Sequence, residues 1–248
     1  MDTPMASPVP VKKKPFAAAS ITLIFTAFLF FGNALTPFLQ YAGTMVPLPQ
    51  ILQSYLVHFI LSAVIILFLL CLAVSTFFKK SNVFLIISLF ALAVCCGIFA
   101  ITYASNVASI SANIEIPEEI RSNLKTTNLL HLARFALFAL GYVILGAVAI
   151  FARMGKTKAT NLWWLAGALF LLVVGVALIF TVTIAIQNFE QVERVIRMFV
   201  NGWYSIVEFF MELTKLIGVA SMFFGTSVMS LINAILLGTY LKKLSKLA

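Results

Sequence analysis

The chain has 248 residues, of which 62% are hydrophobic and only 10% are charged, and its formal net charge is +9. Because a soluble domain carries about a quarter charged residues, this composition excludes a soluble globular protein and predicts an integral membrane protein. The basic residues cluster at the ends of apolar runs, so the positive charge indicates membrane topology rather than nucleic-acid binding.

Six apolar runs are long enough to cross a bilayer as helices. They lie at about 16–38, 53–78, 83–104, 129–152, 162–186 and 218–240. The sequence therefore predicts an all-α, polytopic membrane protein with six transmembrane helices. Residues 1–14 are predicted to be a disordered, basic, cytoplasmic N-terminus, and residues 15–248 a single six-helix membrane domain.

The charged residues sort into two groups along the chain, which predicts the orientation of the spans. Eleven of the 17 basic residues fall with a single acid, Asp2, in segments on one side of the membrane. The other seven acids all fall in segments on the other side. Because basic residues are retained in the cytoplasm, both termini are predicted to be cytoplasmic. The eleven basic residues are Lys12, Lys13, Lys14, Lys79, Lys80, Arg153, Lys156, Lys158, Lys242, Lys243 and Lys246.

The connections on the basic side are short and those on the other side are long. This predicts three tandem antiparallel hairpins, at about 16–78, 83–154 and 160–243. The second and third hairpins are predicted to extend beyond the membrane on the non-cytoplasmic side, at about 105–130 and 187–217.

The second hairpin contains a clear helix start. Pro117 suits the first helical position, and Glu118 and Glu119 follow in the first turn, where the helix dipole favours acids. The returning helix is therefore predicted to run from 117 to about 154.

The third hairpin contains a sustained amphipathic pattern. Its apolar residues are separated by alternating steps of three and four, the spacing of a helix–helix seam. If the chain turns at Asn201-Gly202, the fifth helix runs over about 160–200 and the sixth over about 203–243, with the seam between them. The alternative is an amphipathic helix lying flat on the outer leaflet. The seam residues are Phe189, Val192, Ile196, Phe199, Trp203, Ile206, Phe210, Leu213 and Ile217.

Five residues of this hairpin are candidates for contact with a partner. Trp203 and Tyr204 fall at the predicted tip, where an exposed aromatic pair would be a contact point. Glu190, Glu193 and Arg197 lie on the charged face below them. The alternative is that Trp203 belongs to the seam and Tyr204 is only solvated.

A second set of polar residues falls at the outer membrane boundary or inside the spans. At the boundary, these side chains are interpreted as interfacial residues that extend to water or close the base of the outer bundle. The alternative is that Arg134 pairs with Glu208 or Glu212 and that the group forms a polar vestibule. Asn33 and Asn233 are the deepest polar side chains and are expected to hydrogen-bond across helices, with ligand contact as the alternative. The full set is His58, His131, Arg134, Glu208, Glu212, Lys215, Asn33 and Asn233.

The sixth helix carries small residues on one row, which lets neighbouring helices approach closely. It is therefore predicted to be a centre of packing. The row comprises Gly218, Thr226, Ser230, Ala234 and Gly238.

No residue pattern predicts catalysis, a metal site or a cofactor. The sequence has no nucleotide-binding glycine loop and no nucleophile–base pair at usable spacing. The cysteines Cys71, Cys95 and Cys96 all lie in apolar runs and are interpreted as small core residues.

Two functional hypotheses remain. The first is a non-catalytic subunit or scaffold of a larger membrane assembly, which docks partners through helix packing and the outer hairpin. Its partners would be the lipid bilayer and other membrane subunits or further copies of itself, with no nucleic acid. The second is a permease or channel-like protein for a neutral or amphipathic solute or lipid. The expected location is the bacterial inner membrane. The absence of an Asn-x-Ser/Thr acceptor is consistent with a bacterial source but does not decide it.

Overall fold

The computed structural model describes residues 17–41, 55–77 and 83–246. Within these ranges the regular structure is helical and includes no strand. The basic segment predicted at residues 1–14 lies outside the described residues.

Seven α-helices and one short 3₁₀ turn make up the described chain. The 3₁₀ turn, Ala159–Leu162, leads into the fifth helix. The helices are α1 (Ala17–Tyr41), α2 (Leu56–Phe77), α3 (Val83–Ala112), α4 (Glu118–Arg153), α5 (Trp163–Gln187), α6 (Phe189–Val200) and α7 (Ile206–Leu244).

Five helical segments are long and apolar enough to cross a membrane. They are α2, α3, α4, α5 together with the 3₁₀ turn, and the Ala220–Leu244 part of α7. In α1 the described apolar stretch, Ala17–Gly32, is shorter than these five. The fold is therefore that of a helical integral membrane protein.

The helices form a closed ring. Each of α1 to α4 packs against the next helix in the chain, and α5 packs against α7. The last helix, α7, also packs against α1, which closes the ring, and it contacts α4 across the middle. Because α7 touches four other helices, including α6, it occupies the centre of the packing.

The small-residue row of α7 lies within this packing. Thr226, Ser230 and Ala234 are buried. A Cβ built on Gly238 would lie 2.8 Å from the indole of Trp163 in α5. The prediction that this helix is a packing centre is confirmed.

Ring contacts fix the pairing of α3 with α4. Tyr103 stacks on His131 with ring centroids 4.7 Å apart, and Phe99 stacks on Phe135 at 4.6 Å. Moving four residues along α3 moves four residues the opposite way along α4, so the two helices are antiparallel. The predicted helix start is also confirmed, since Pro117 is the N-cap of α4.

The predicted fifth helix, 160–200, is wrong as a single element. The chain breaks at Asn188, where φ is −107° and ψ is 11°. The Asn188 side chain donates to the Ile184 carbonyl and competes with the regular helix. The turn predicted at Asn201-Gly202 is confirmed, and Gly202 supplies its positive φ of 74°. The next helix then begins at Ile206 rather than at 203.

The predicted seam does not pack inside this helical pair over most of its described length. Phe199 does contact Phe209 of α7, with ring centroids 4.5 Å apart. However, Phe189, Ile196 and Trp203 are 65%, 45% and 76% exposed. The buried residue of α6 is instead Val195, because the α7 side of the helix is offset from the predicted face. The side chains of Phe210, Leu213 and Ile217 lie outside the described part.

Candidate functional site

A concave site among the described residues lies on one face of α6. Its volume is about 520 Å³. The lining residues that belong to α6 are separated by steps of three, one, three and one along the sequence, which places them on one side of the helix. The lining residues are Glu190, Glu193, Arg194, Arg197, Met198, Asn201 and Trp203. We call this site the outer pocket.

The outer pocket combines both signs of charge with one large aromatic side chain. Arg197 donates to Glu193 one helical turn away, and this ion pair is open to solvent. Such a pair contributes little to stability. Trp203, at the rim, is 76% exposed. The pocket therefore offers an aromatic contact and hydrogen-bonding charges that the fold itself does not use.

Four of the five predicted contact residues line the outer pocket. The fifth, Tyr204, is half-buried and is not among the lining residues. Arg194, Met198 and Asn201 were missed as site residues. Their spacing from Glu190 is the signal that could have found them, because they complete one helical face.

A second polar site lies inside the bundle, around Arg134 of α4. This side chain is fully buried. Its guanidinium carbon lies 3.9 Å from the ring centroid of Phe223 and 5.2 Å from that of Phe138. One terminal nitrogen donates to the Thr226 hydroxyl of α7. Arg134 thus joins two helices through cation–π contacts and one hydrogen bond.

Among the described side chains, no acid is paired with the Arg134 guanidinium. Its Nε and Nη1 atoms have no hydrogen-bond partner among the described residues. The predicted pairing with Glu208 or Glu212 is wrong, because Arg134 reaches α7 at Thr226. Glu212 lies 14 residues away along α7, or about 21 Å at 1.5 Å per residue.

Glu208 has a different role, at the first turn of α7. Its carboxylate accepts hydrogen bonds from the backbone N–H and the hydroxyl of Ser205, at 2.9 and 2.8 Å. The Ser205 hydroxyl in turn accepts from the Glu208 backbone N–H. This reciprocal pair is a capping box. The hydrogen bonds from Ser205 hold the pKa of Glu208 below its ordinary value.

Both histidines lie in the aromatic layer around Arg134. His131 stacks on Tyr103 and meets Phe223 edge to face, with centroids 4.9 Å apart. His58 packs edge-on against Phe99 at 5.5 Å. The structure therefore brings together three members of the predicted vestibule, but it packs them between aromatic rings.

The remaining predicted polar residues lie elsewhere. Asn233 donates to the Thr26 hydroxyl of α1 at 2.6 Å, which confirms the expected hydrogen bond across helices. It lies seven residues from Thr226 along α7, so it is about 10 Å from the Arg134 layer. The side chains of Asn33 and Lys215 lie outside the described part.

The described residues offer no evident metal centre. No three histidine, cysteine or acidic side chains among them lie close enough to hold an ion. Cys95 and Cys96 are buried thiols, and Cys71 is half-buried.

Comparison of the chain with protein-family models, with curated protein sequences and with solved structures finds no match. Its function must therefore be inferred from its own side chains.

Proposed function

We propose that this chain is a non-catalytic subunit or scaffold of a larger membrane assembly, and that it docks a partner protein at the outer pocket. The observation that carries the proposal is the exposed Trp203 beside two glutamates and two arginines in one concavity. Tryptophan and arginine are the residues most enriched among those that dominate binding energy. Mixed charge around such an anchor favours one partner over others.

The proposal places the outer pocket in water, on the non-cytoplasmic side. The 39 residues of α7 would measure about 58 Å, against a hydrocarbon thickness of about 30 Å. Its predicted apolar run begins at about 218, which leaves about 18 Å of helix between that residue and Ile206. Because α6 packs along this part of α7, it would stand upright beside it rather than lie on the lipid.

The wider arrangement belongs to the same proposal. It comprises six spans in three hairpins, with α1 as the first span. The basic connections and both termini would face the cytoplasm of a bacterial cell. The distribution of charged residues along the chain supports this orientation.

The test is gentle extraction from native membranes, followed by native mass analysis of what co-purifies. We expect stoichiometric partner proteins with the natural chain. The E190K/R194E double variant should retain at least about tenfold less partner protein, because it reverses two charges of the pocket while keeping the net charge. The matched control is E119K/K125E, which reverses an exposed acid and an exposed base near the start of α4 and likewise keeps the net charge.

Two results would contradict the proposal. One is a chain that is recovered from native membranes with no other protein. The other is a loss of partners that is equal in the control and in the pocket variant, since that would point to charge reversal anywhere on the surface rather than to this site.

A second candidate function is a permease-like protein for an amphipathic solute with an anionic group. The observation in its favour is Arg134, a fully buried cation that pairs with no acid in the described part of the chain. A buried charge is costly unless it is paired, so it marks a candidate ligand site inside a membrane protein. Recovery of the chain with a bound anionic lipid or small molecule, and loss of that molecule in R134M, would support this candidate over the first.

A further inference from the structure

The side chains around Arg134 leave polar nitrogen atoms buried without hydrogen-bond partners. The Nε and Nη1 atoms of Arg134 have no partner among the described residues, and neither has the Nδ1 atom of His131. His131 lies three residues before Arg134, on the same side of α4. Both contact Phe223 of α7, since the guanidinium carbon lies 3.9 Å and the imidazole centroid 4.9 Å from its ring centroid. We call Arg134, His131 and the rings of Phe135, Phe138 and Phe223 the arginine layer.

No carboxylate of the described chain balances the positive charge of the arginine layer. Of the eight acids in the sequence, Asp2 lies outside the described residues, and the other seven fall at 115–119, 190–193 and 208–212. On α4 the nearest of them, Glu119, lies 15 residues from Arg134, or about 22 Å along the helix. On α7, Glu212 lies about 21 Å from the residue that Arg134 contacts. A full positive charge therefore remains inside this part of the bundle.

Neither the aromatic rings nor water can supply the missing negative charge. The guanidinium carbon lies 5.4 Å from the ring centroid of Phe135 and 5.2 Å from that of Phe138. Ring faces attract a cation, but a ring carries no net charge. Water can accept hydrogen bonds from the Arg134 N–H groups, yet it too brings no charge. Because a buried ion is stable only when it is paired, the arginine layer is suited to hold an anion.

The surroundings favour an anion that is small and singly charged. Arg134 is 0% exposed, so an ion with an apolar tail would find no opening at the guanidinium. Phe180 stacks on Phe223 at 4.3 Å and Phe99 stacks on Phe135 at 4.6 Å, which covers the layer with further rings. One negative charge balances one guanidinium. A divalent ion would leave an excess charge in the same layer and would cost more to dehydrate.

We propose that a small inorganic monoanion of the halide class, chloride in the cell, binds in the arginine layer and accepts hydrogen bonds from Arg134. This goes beyond the proposed function, because the anion is a fixed component of the bundle rather than a docked protein. It also differs from the second candidate function, in which an amphipathic solute is carried. The bound ion stabilises the contact of α4 with α7, since it neutralises the one charge buried between them.

The first test measures thermal unfolding in detergent, in potassium chloride and in potassium gluconate at equal concentration. We expect the natural chain to unfold about 3–5 °C higher in chloride, as for a ligand at about ten times its Kd in a chain of this size. Gluconate is too large for an enclosed layer. R134M should show no difference between the salts, because its side chain is neutral. The matched control is R153M, which removes an exposed arginine from the same helix and should keep the full difference.

Two results of this test would overturn the proposal. One is an equal unfolding temperature of the natural chain in both salts, and the other is a chloride effect that R134M retains. General effects of salt on folding act on all the chains alike, so the contrast between R134M and R153M reports on the arginine layer. E190K/R194E, which tests the outer pocket, should keep the chloride effect. Failure of this proposal is therefore distinguishable from failure of the proposed function.

The second test locates the ion and does not depend on a variant. Crystals of the natural chain are grown with bromide in place of chloride, and anomalous diffraction is measured at the bromine absorption edge. We expect a bromide peak within hydrogen-bonding distance of the Arg134 guanidinium. A site with no density, or with density but no anomalous signal, as for water, would overturn the proposal. Density with an extended tail would also overturn it and would favour the second candidate function.

Discussion

At the scale of single residues, Arg134 is the most unusual feature of the bundle. Its guanidinium is charged at any physiological pH and is buried with one hydroxyl and several aromatic rings. Burial of a charge with so few partners costs free energy unless something compensates it. The Thr226 hydroxyl is its one hydrogen-bond acceptor among the described residues, so we expect the two residues to be strongly coupled.

Replacing Thr226 by valine should destabilise the protein by about 1–3 kcal/mol, because it leaves a buried guanidinium without its acceptor. The same substitution in an R134M background should cost much less, since no buried charge remains. The measurement is thermal unfolding in detergent of the two single variants and the double variant. If the cost of T226V is equal in both backgrounds, Arg134 and Thr226 are not coupled and the hydrogen bond is not important for stability.

At the scale of elements, the outer end of the bundle is defined by one break and one cap. Asn188 divides α5 from α6, and Ser205 with Glu208 starts α7 after the Gly202 turn. The capping box satisfies backbone N–H groups that a helix start otherwise leaves open. It therefore sets where α7 begins and where the rim of the outer pocket lies.

The capping box should make the start of α7 sensitive to acid. The pKa of Glu208 is lowered in the folded protein. The capping box therefore stabilises the start of α7 fully at any pH above the ordinary pKa of a glutamate, and this stabilisation is lost as the pH falls through the lowered pKa. Hydrogen exchange of the first α7 amides, corrected for intrinsic rates, should therefore become faster on acidification. In E208Q the same amides should show no such dependence, because the amide cannot titrate. A pH dependence that persists in E208Q would mean that another group is responsible.

At the scale of the whole molecule, the closed ring arises from contacts distant in sequence. The hydrogen bond between Thr26 and Asn233 joins the first helix to the last, 207 residues apart. A built Cβ on Gly32 of α1 would likewise lie 3.2 Å from the sulfur of Met222 in α7. The ring leaves the basic connection around Gly155 and the turn at Gly202 at opposite ends of the bundle, which gives a direct test of the proposed orientation.

In intact bacterial cells, N201C should react with a membrane-impermeant thiol reagent, whereas K156C should react only after the membrane is opened. The chain without native cysteines provides the background. We expect this pattern because the basic connections are retained in the cytoplasm. The reverse pattern would invert the topology and would place the outer pocket inside the cell.

The sequence by itself determined the class of protein, most helix positions and the outer turn. Apolar runs with few charges can only be membrane helices, because backbone polar groups must be satisfied within lipid. The Pro117 start and the Asn201-Gly202 turn were predictable because their causes are local. Glu190, Glu193 and Arg197 of the outer pocket were also found in this way, since they share one helical face, and Trp203 was found because it follows the predicted turn.

Only the tertiary structure decided which faces meet. A periodicity argument finds the apolar face of an amphipathic helix but not the element that covers it. The seam of α6 was therefore assigned to a contact with α7 that it mostly does not make, and the break at Asn188 was not foreseen. The pairing of Arg134 with Glu208 or Glu212 was also wrong. The level at which Arg134 meets α7 depends on how far the two helices are shifted along their axes, and no local pattern shows that shift. Those offsets are set by contacts such as Trp163 on Gly238, which bring together residues that no local pattern connects.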